Sequence, residues 1–456
     1  MKNKFILFLI SILLITSILA ISPVQTLKNS RDTLYVGGGG SGNYSTIQSA
    51  LDDANPGDII HVYKGLYVEN VIVSKNDIIL IGENKNSTII DGGGNGDVVY
   101  ISGDQTTLSG FTVQNSGSIC YNGGIHINSD YNIISDNIVL NNAEIGVWLD
   151  SCDENIVSNN TIDNNDLDGL WIDNSKYNTI ENNLITSNND NGIVVKESNE
   201  NTILKNVISF NDDNGTSIFY PSTNNNIIKN SIRSNNDNGI YINASNNNIF
   251  HNSFIHNFVN ANDEGGNNWD NGYPSGGNYW TDYTGSDDYH GINQDLPGHD
   301  RIGDISYEIP CEHGTDYYPL INQDSWINEV PTNLTLDGQT YGNAGDEYYY
   351  ITSANDPEMD PIYYKFDWGD DSYTDWFGPY ISGTDASESH TWSTGVYDIR
   401  AKAKDTRGLE TDWSDPFRIT MPRSRISSSI LINFIERFLD TFPIIRSYFS
   451  INYLNK

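Results

Sequence analysis

The chain of 456 residues holds 24 basic against 60 acidic side chains, a formal charge of −36, which argues against nucleic-acid phosphates and anionic lipid surfaces as partners. Only 37% of it is hydrophobic, and the polar excess is mostly Asn, Asp, Ser and Gly, residues of turns rather than helices. The length suits two or three domains built from strands and turns.

In chain order, residues 1–22 come first, with Lys2 and Lys4 ahead of an unbroken apolar run. This pattern predicts a signal peptide or an N-terminal anchor and hence an extracellular or cell-surface location. Cys120, Cys152 and Cys311 are too few and too scattered for a disulfide scaffold. Residues 45–54 then read as one amphipathic helix, placed to cover the end of the strand-rich region that follows.

That region is periodic. The pattern N-x-I-x-x-N-x-I, allowing Val or Phe for Ile, recurs with its first Asn at 132, 155, 178, 201, 225 and 247, at spacings of 23, 23, 23, 24 and 22. A Gly opening an alternating strand follows each copy, at Gly124, Gly146, Gly169, Gly192, Gly215 and Gly239. Short period-2 strands recurring at this interval predict a parallel β-helix over residues 33–260, three strands to a coil. Stacked coils would bring each Asn column into register, so that the amides form ladders that satisfy turn backbone groups. Residues 261–323 break the period with Trp, Tyr and Gly and read as an irregular cap.

The segment YSTIQSALDDANPGDIIHVYKGLYVENV, the N-x-I-x-x-N coils, and the run from GGNYWTDY through GDISYEIP to DYYPL together resemble the NosD-like family of right-handed parallel β-helix proteins, in the pectin-lyase-like superfamily. The resemblance spans roughly residues 33–321 and implies periplasmic copper handling or an exported, carbohydrate-related role. The N-terminal part also resembles pectin methylesterases, whose Q-D-T-L-Y type catalytic segment is absent here.

Beyond residue 325 the repeats cease. FDWGDDS followed by SHTWSTGVYDIRAKAKD resembles the PKD domain, an immunoglobulin-like β-sandwich, fitted by residues 326–421, with Asp371 where the usual Gly stands. Residues 423–456 form a tail in which Leu431, Ile435, Phe438, Leu439 and Phe442 share one face of a short amphipathic helix, too short to span a bilayer. The membrane could be met only there or at the N-terminal segment.

Candidate chemistry lies on the outward side of the strands after each Gly. Two residues past the Gly stand His126, Trp148, Trp171, Val194, Ser217 and Tyr241; four past it stand Asn128, Asp150, Asp173, Lys196, Phe219 and Asn243. Exposed aromatics in register predict a platform for sugar rings, with His126, Trp148, Trp171, Asp150, Asp173 and Lys196 as the binding set. Asp150 and Asp173 on adjacent coils suit a hydrolase carboxylate pair, and Lys196 would serve a lyase as base. The bland alternative is a solvent face whose aromatics merely stabilise the sheet. Acidic residues two before the Gly, Glu144, Asp190, Asp213 and Asp237, raise calcium as a cofactor. Copper would need His290, His299, Cys311 and His313 to converge in the cap. The expected partner is a polysaccharide, glycan or cell-surface component, bound or cleaved.

Overall fold

The computed structural model describes residues 31–119, 121–310, 313–422 and 428–441. Residues 1–22, where a signal peptide or an N-terminal anchor is expected, therefore lie outside the described residues. Contact density divides the chain into two units, residues 1–247 with 255–267, and residues 248–254 with 268–456.

The first unit is a right-handed parallel β-helix in which each coil gives one short strand to each of three parallel sheets. One coil is Ile133–Ser135, Ile138–Leu140 and Ile145–Asp150. Register fixes the core. Ile134, Val157, Ile180, Ile203 and Ile227 follow one another on successive strands of one sheet, as do Val139, Ile162, Ile185, Ile208 and Ile232 on another. All ten are fully buried. Stacking β-branched Ile and Val side chains at roughly 4.8 Å fills the coil interior.

The corner between the first two strands of a coil is turned by one left-handed residue: Asp136, Asn159, Asn182, Lys205 and Lys229 have φ of 57, 58, 57, 55 and 59°. The next residue begins an amide column. Asn160 Oδ1 accepts both the backbone N–H and the Nδ2–H of Asn137, at 3.0 and 3.2 Å, and Asn183, Asn206 and Asn230 continue it. The column from Asn132 to Asn247 is built alike. Both columns were legible in the sequence. A third, Asn142, Asn165, Asn188, Asn211, Asn235 and Asn257, was not singled out, although it obeys the same period.

The repeat glycines are needed for space rather than for φ. A Cβ on Gly146, Gly192 or Gly215 would stand 2.5 to 2.6 Å from the carbonyl oxygen of the glycine one coil on. Any side chain there would push the coils apart.

The ladder gives a testable magnitude. Asn178 Oδ1 accepts from Asn155 N at 2.8 Å and from Asn155 Nδ2 at 3.1 Å, while its own Nδ2 donates to the Cys152 carbonyl at 3.0 Å. Asn178→Ala takes this partner from the buried Asn155 N–H and the Cys152 carbonyl, while Asn155 Nδ2 keeps only the Asp153 carbonyl, so a urea-unfolding loss of about 3 kcal/mol is expected. A loss under about 1 kcal/mol would show that water replaces the amide.

At the N-terminal end a helix spans Ile47–Asp53, slightly shorter than the 45–54 expected, because Thr46 is the N-cap and its hydroxyl accepts from Ser49 N. The Glu69 carboxylate accepts from Ile47 N and Gln48 N, and the Lys75 ammonium donates to the carbonyls of Leu51, Asp52 and Ala54. Opposite charges thus answer both poles of the helix, while Ile47, Ala50 and Leu51 are buried.

In the second unit, Trp280 stacks between Phe254 and Tyr307 at 4.5 and 4.4 Å. The buried Asp316 carboxylate accepts from Trp280 Nε1 and Asn278 N. The sandwich that follows has a three-stranded antiparallel sheet, Thr332–Gly338, Glu347–Asn355 and Ala386–Thr391, facing a four-stranded one, Phe377–Tyr380, Ile362–Asp367, Gly395–Asp405 and Phe417–Met421. Ile399, Ala401 and Ala403, alternate residues of one strand, are buried in it. Asp371 has φ 68°, the left-handed backbone for which a Gly usually serves. A helix, Ser428–Thr441, exposes Phe434, Ile435 and Phe438; Phe442 and the side chains of Leu431 and Leu439 lie outside what is described. Among the described residues no helix is long and apolar enough to cross a membrane.

Candidate functional site

The nine-stranded sheet, running from Val71–Val73 to Val259–Asp263, carries the predicted stripe. His126, Trp148 and Trp171 are direct register partners on three successive strands, and Asp150 pairs with Asp173, which pairs with Lys196. His126 stacks on Trp148 with centroids 4.1 Å apart and planes 16° from parallel. Trp171 follows at 6.4 Å, with the edge of Tyr121 against it at 5.4 Å and Lys196 Nζ 5.9 Å from its ring centre. Neither indole N–H finds a hydrogen-bond partner among the described residues.

The register is as expected, but the exposure is not. Val194, Ser217 and His126 are buried, and Trp148 and Trp171 are half-buried. Pointing out of the coil does not mean standing in water. Ser217 Oγ donates to Asn191 Oδ1 at 2.8 Å, and stacked rings cover one another. The free platform therefore narrows to the half-buried Trp148 and Trp171, with Tyr241 further along.

Asp97, overlooked in the sequence, completes the histidine's surroundings. Its Oδ2 lies 2.9 Å from His126 Nδ1, and its Oδ1 accepts from Gly123 N at 2.6 Å. Asp150 Oδ2 lies 3.5 Å from His126 Nε2 on the other side. The imidazole is thus bracketed by carboxylates from the coils before and after it. Burial raises the Asp173 carboxyl; the Lys196 ammonium opposes this and Asp150 adds to it.

Further along the same face is a cleft of about 530 Å³ lined by Phe219 and Tyr241, with Asp213, Asp237 and a run of asparagines beside them. Burial, together with Asp190 and Asp237 on either side, pushes the Asp213 carboxyl up to about 6. Burial likewise takes Asp168 to about 6. A carboxyl whose folded value is raised holds its proton in the folded chain and loses it in the unfolded one, so stability falls as pH rises from about 4 through about 6. Asp213→Asn is expected to flatten the fall in melting temperature over that window; an unchanged slope would mean that Asp213 ionises freely.

The metal candidates do not converge. His290 is buried, His299 is largely exposed with Nδ1 on the Asp287 carbonyl, His313 is exposed, and Cys311 lies outside the described residues. Among the described residues no group of three or more His, Cys, Asp or Glu is arranged to hold a metal ion, the acidic column proposed for calcium included.

Residues 68–285 match the family model described as "Periplasmic copper-binding protein (NosD)". A probable pectinesterase/pectinesterase inhibitor of Arabidopsis thaliana is 35% identical over 102 residues, 21% of this chain and 17% of that protein. The chain thus spans about a sixth of that relative's length. Pectate lyase Pel9A matches with 14% identity and a TM-score of 0.42, over 58% of this chain and 84% of its own. The PKD domain of an M14-like peptidase from a Thermoplasmatales archaeon is 41% identical over 21% of this chain and all of its own, with a TM-score of 0.21.

The family's description implies copper, and the described residues do not fit it. Besides the scattered histidines, the buried Cys152 has its thiol pushed up to about 12 by desolvation, so the thiolate that would bind a soft metal is disfavoured. The structure thus shows a parallel β-helix, residues 68–285 of which match that family model, followed along the chain by an antiparallel β-sandwich.

Proposed function

We propose that this is an exported cell-surface protein whose β-helix binds carbohydrate along the outward face of the nine-stranded sheet. The observation that carries this reading is the in-register pair Trp148 and Trp171, whose rings are half-buried on the outward face and continue the stack begun by the buried His126. Aromatic faces take the C–H side of sugar rings. The carboxylates Asp150 and Asp173, side by side in register, favour a second reading, cleavage of the bound polymer as a glycoside hydrolase or polysaccharide lyase. Lys196, the neighbour of Asp173, would be the base in a lyase.

The test is a glycan array with the leaderless protein, followed by product analysis on each hit. Binding without new chain ends supports the adhesive reading, and release of shorter chains supports the enzyme. No hit would remove both.

A further inference from the structure

The charge of the face limits what can lie on it. Around the tryptophans stand Asp97, Asp150 and Asp173, and along the cleft of Phe219 and Tyr241 stand Asp190, Asp213 and Asp237. Lys196 is the cation placed among them, and it already sits beside Trp171 and Asp173. The two clusters share one register column, with the buried Val194 and Ser217 between them: Trp171 registers with Val194, then Ser217, then Tyr241, while Asp173 registers with Lys196, then Phe219. A chain lying along this column meets carboxylates at both ends.

We propose that the face selects glycans free of carboxylate and sulfate groups and rejects polyuronates. This rests on the carbohydrate-binding reading above and narrows its substrate class. A polyanion would need cations facing its charges, whereas here each sugar carboxylate would come within a Debye length of several aspartates. Neutral hydroxyls, by contrast, are good donors to carboxylate oxygens, and the cleft offers Asp213 and Asp237. The raised Asp213 carboxyl agrees with this: the column is short of positive charge before any ligand arrives.

The test is an array spanning neutral, uronate and sulfated glycans, read in EDTA so that no divalent cation bridges like charges. Calorimetry follows on two pairs, methyl-esterified against de-esterified polygalacturonate and hydroxyethyl cellulose against its C6-carboxylated form. Hits confined to uncharged glycans are expected. In any pair that binds, the carboxylated member should be at least about tenfold weaker at low salt, with the gap closing as salt screens it. The double variant Asp213→Asn with Asp237→Asn should narrow that gap to about threefold or less by removing two like charges. Uronate hits equal to or tighter than neutral ones would overturn the charge selection and leave carbohydrate binding standing. An array without hits would instead overturn the carbohydrate reading itself.

Discussion

Ile180→Asp is expected to abolish the cooperative melt of the β-helix. Ile180 is fully buried and lies between Val157 and Ile203 in register, so the new carboxylate would have apolar neighbours above and below and no water. An unpaired charge in such a place either unfolds its surroundings or forces its own protonation, at a cost above about 4 kcal/mol. Because each coil is supported only by its neighbours, a broken coil leaves two open ends rather than one local defect. Asn189→Ser, in an exposed turn, should by contrast shift the melt by no more than a degree or two. Circular dichroism melts of the two variants decide it. Equal tolerance would mean that the inward register is wrong.

The same register explains which features could be seen in the sequence. Ile180 and Asn178 repeat at the coil period, and a period forces position, so core and ladder could be assigned from spacing alone. The column at Asn142 has that period too, yet an Asn before a strand also reads as an ordinary turn residue, and only the stacking separates the two. The direction of His126 and Ser217 followed from alternation, but their depth depends on what neighbouring turns lay over them, and Asn191 and Asp97 do this from other coils. Asp97 lies upstream of the regular N-x-I coils, where no period marks it. The scattered cap histidines show the converse: closeness along an irregular stretch carries no geometric constraint, and they do not meet.

Trp148→Ala with Trp171→Ala is the change expected to alter function most. If the two rings are the sugar platform, the double variant should lose affinity for any array hit by about 100-fold or more, since stacked aromatics dominate such contacts. Its melt should fall only modestly. The rings lie outside the coil interior, are half-buried, and have indole N–H groups that pair with nothing described, so their removal strands no buried partner. Asp150→Asn and Asp173→Asn divide binder from enzyme, because an amide of the same shape keeps the platform and removes the ionisable group. In a binding protein both variants retain affinity and no product appears with either form. In an enzyme both retain affinity and lose turnover, Asp173 as the acid, whose carboxyl burial raises, and Asp150 as the nucleophile. A double tryptophan variant that loses stability while binding unchanged would make the stripe a structural cross-strand stack and place any glycan site elsewhere on the molecule.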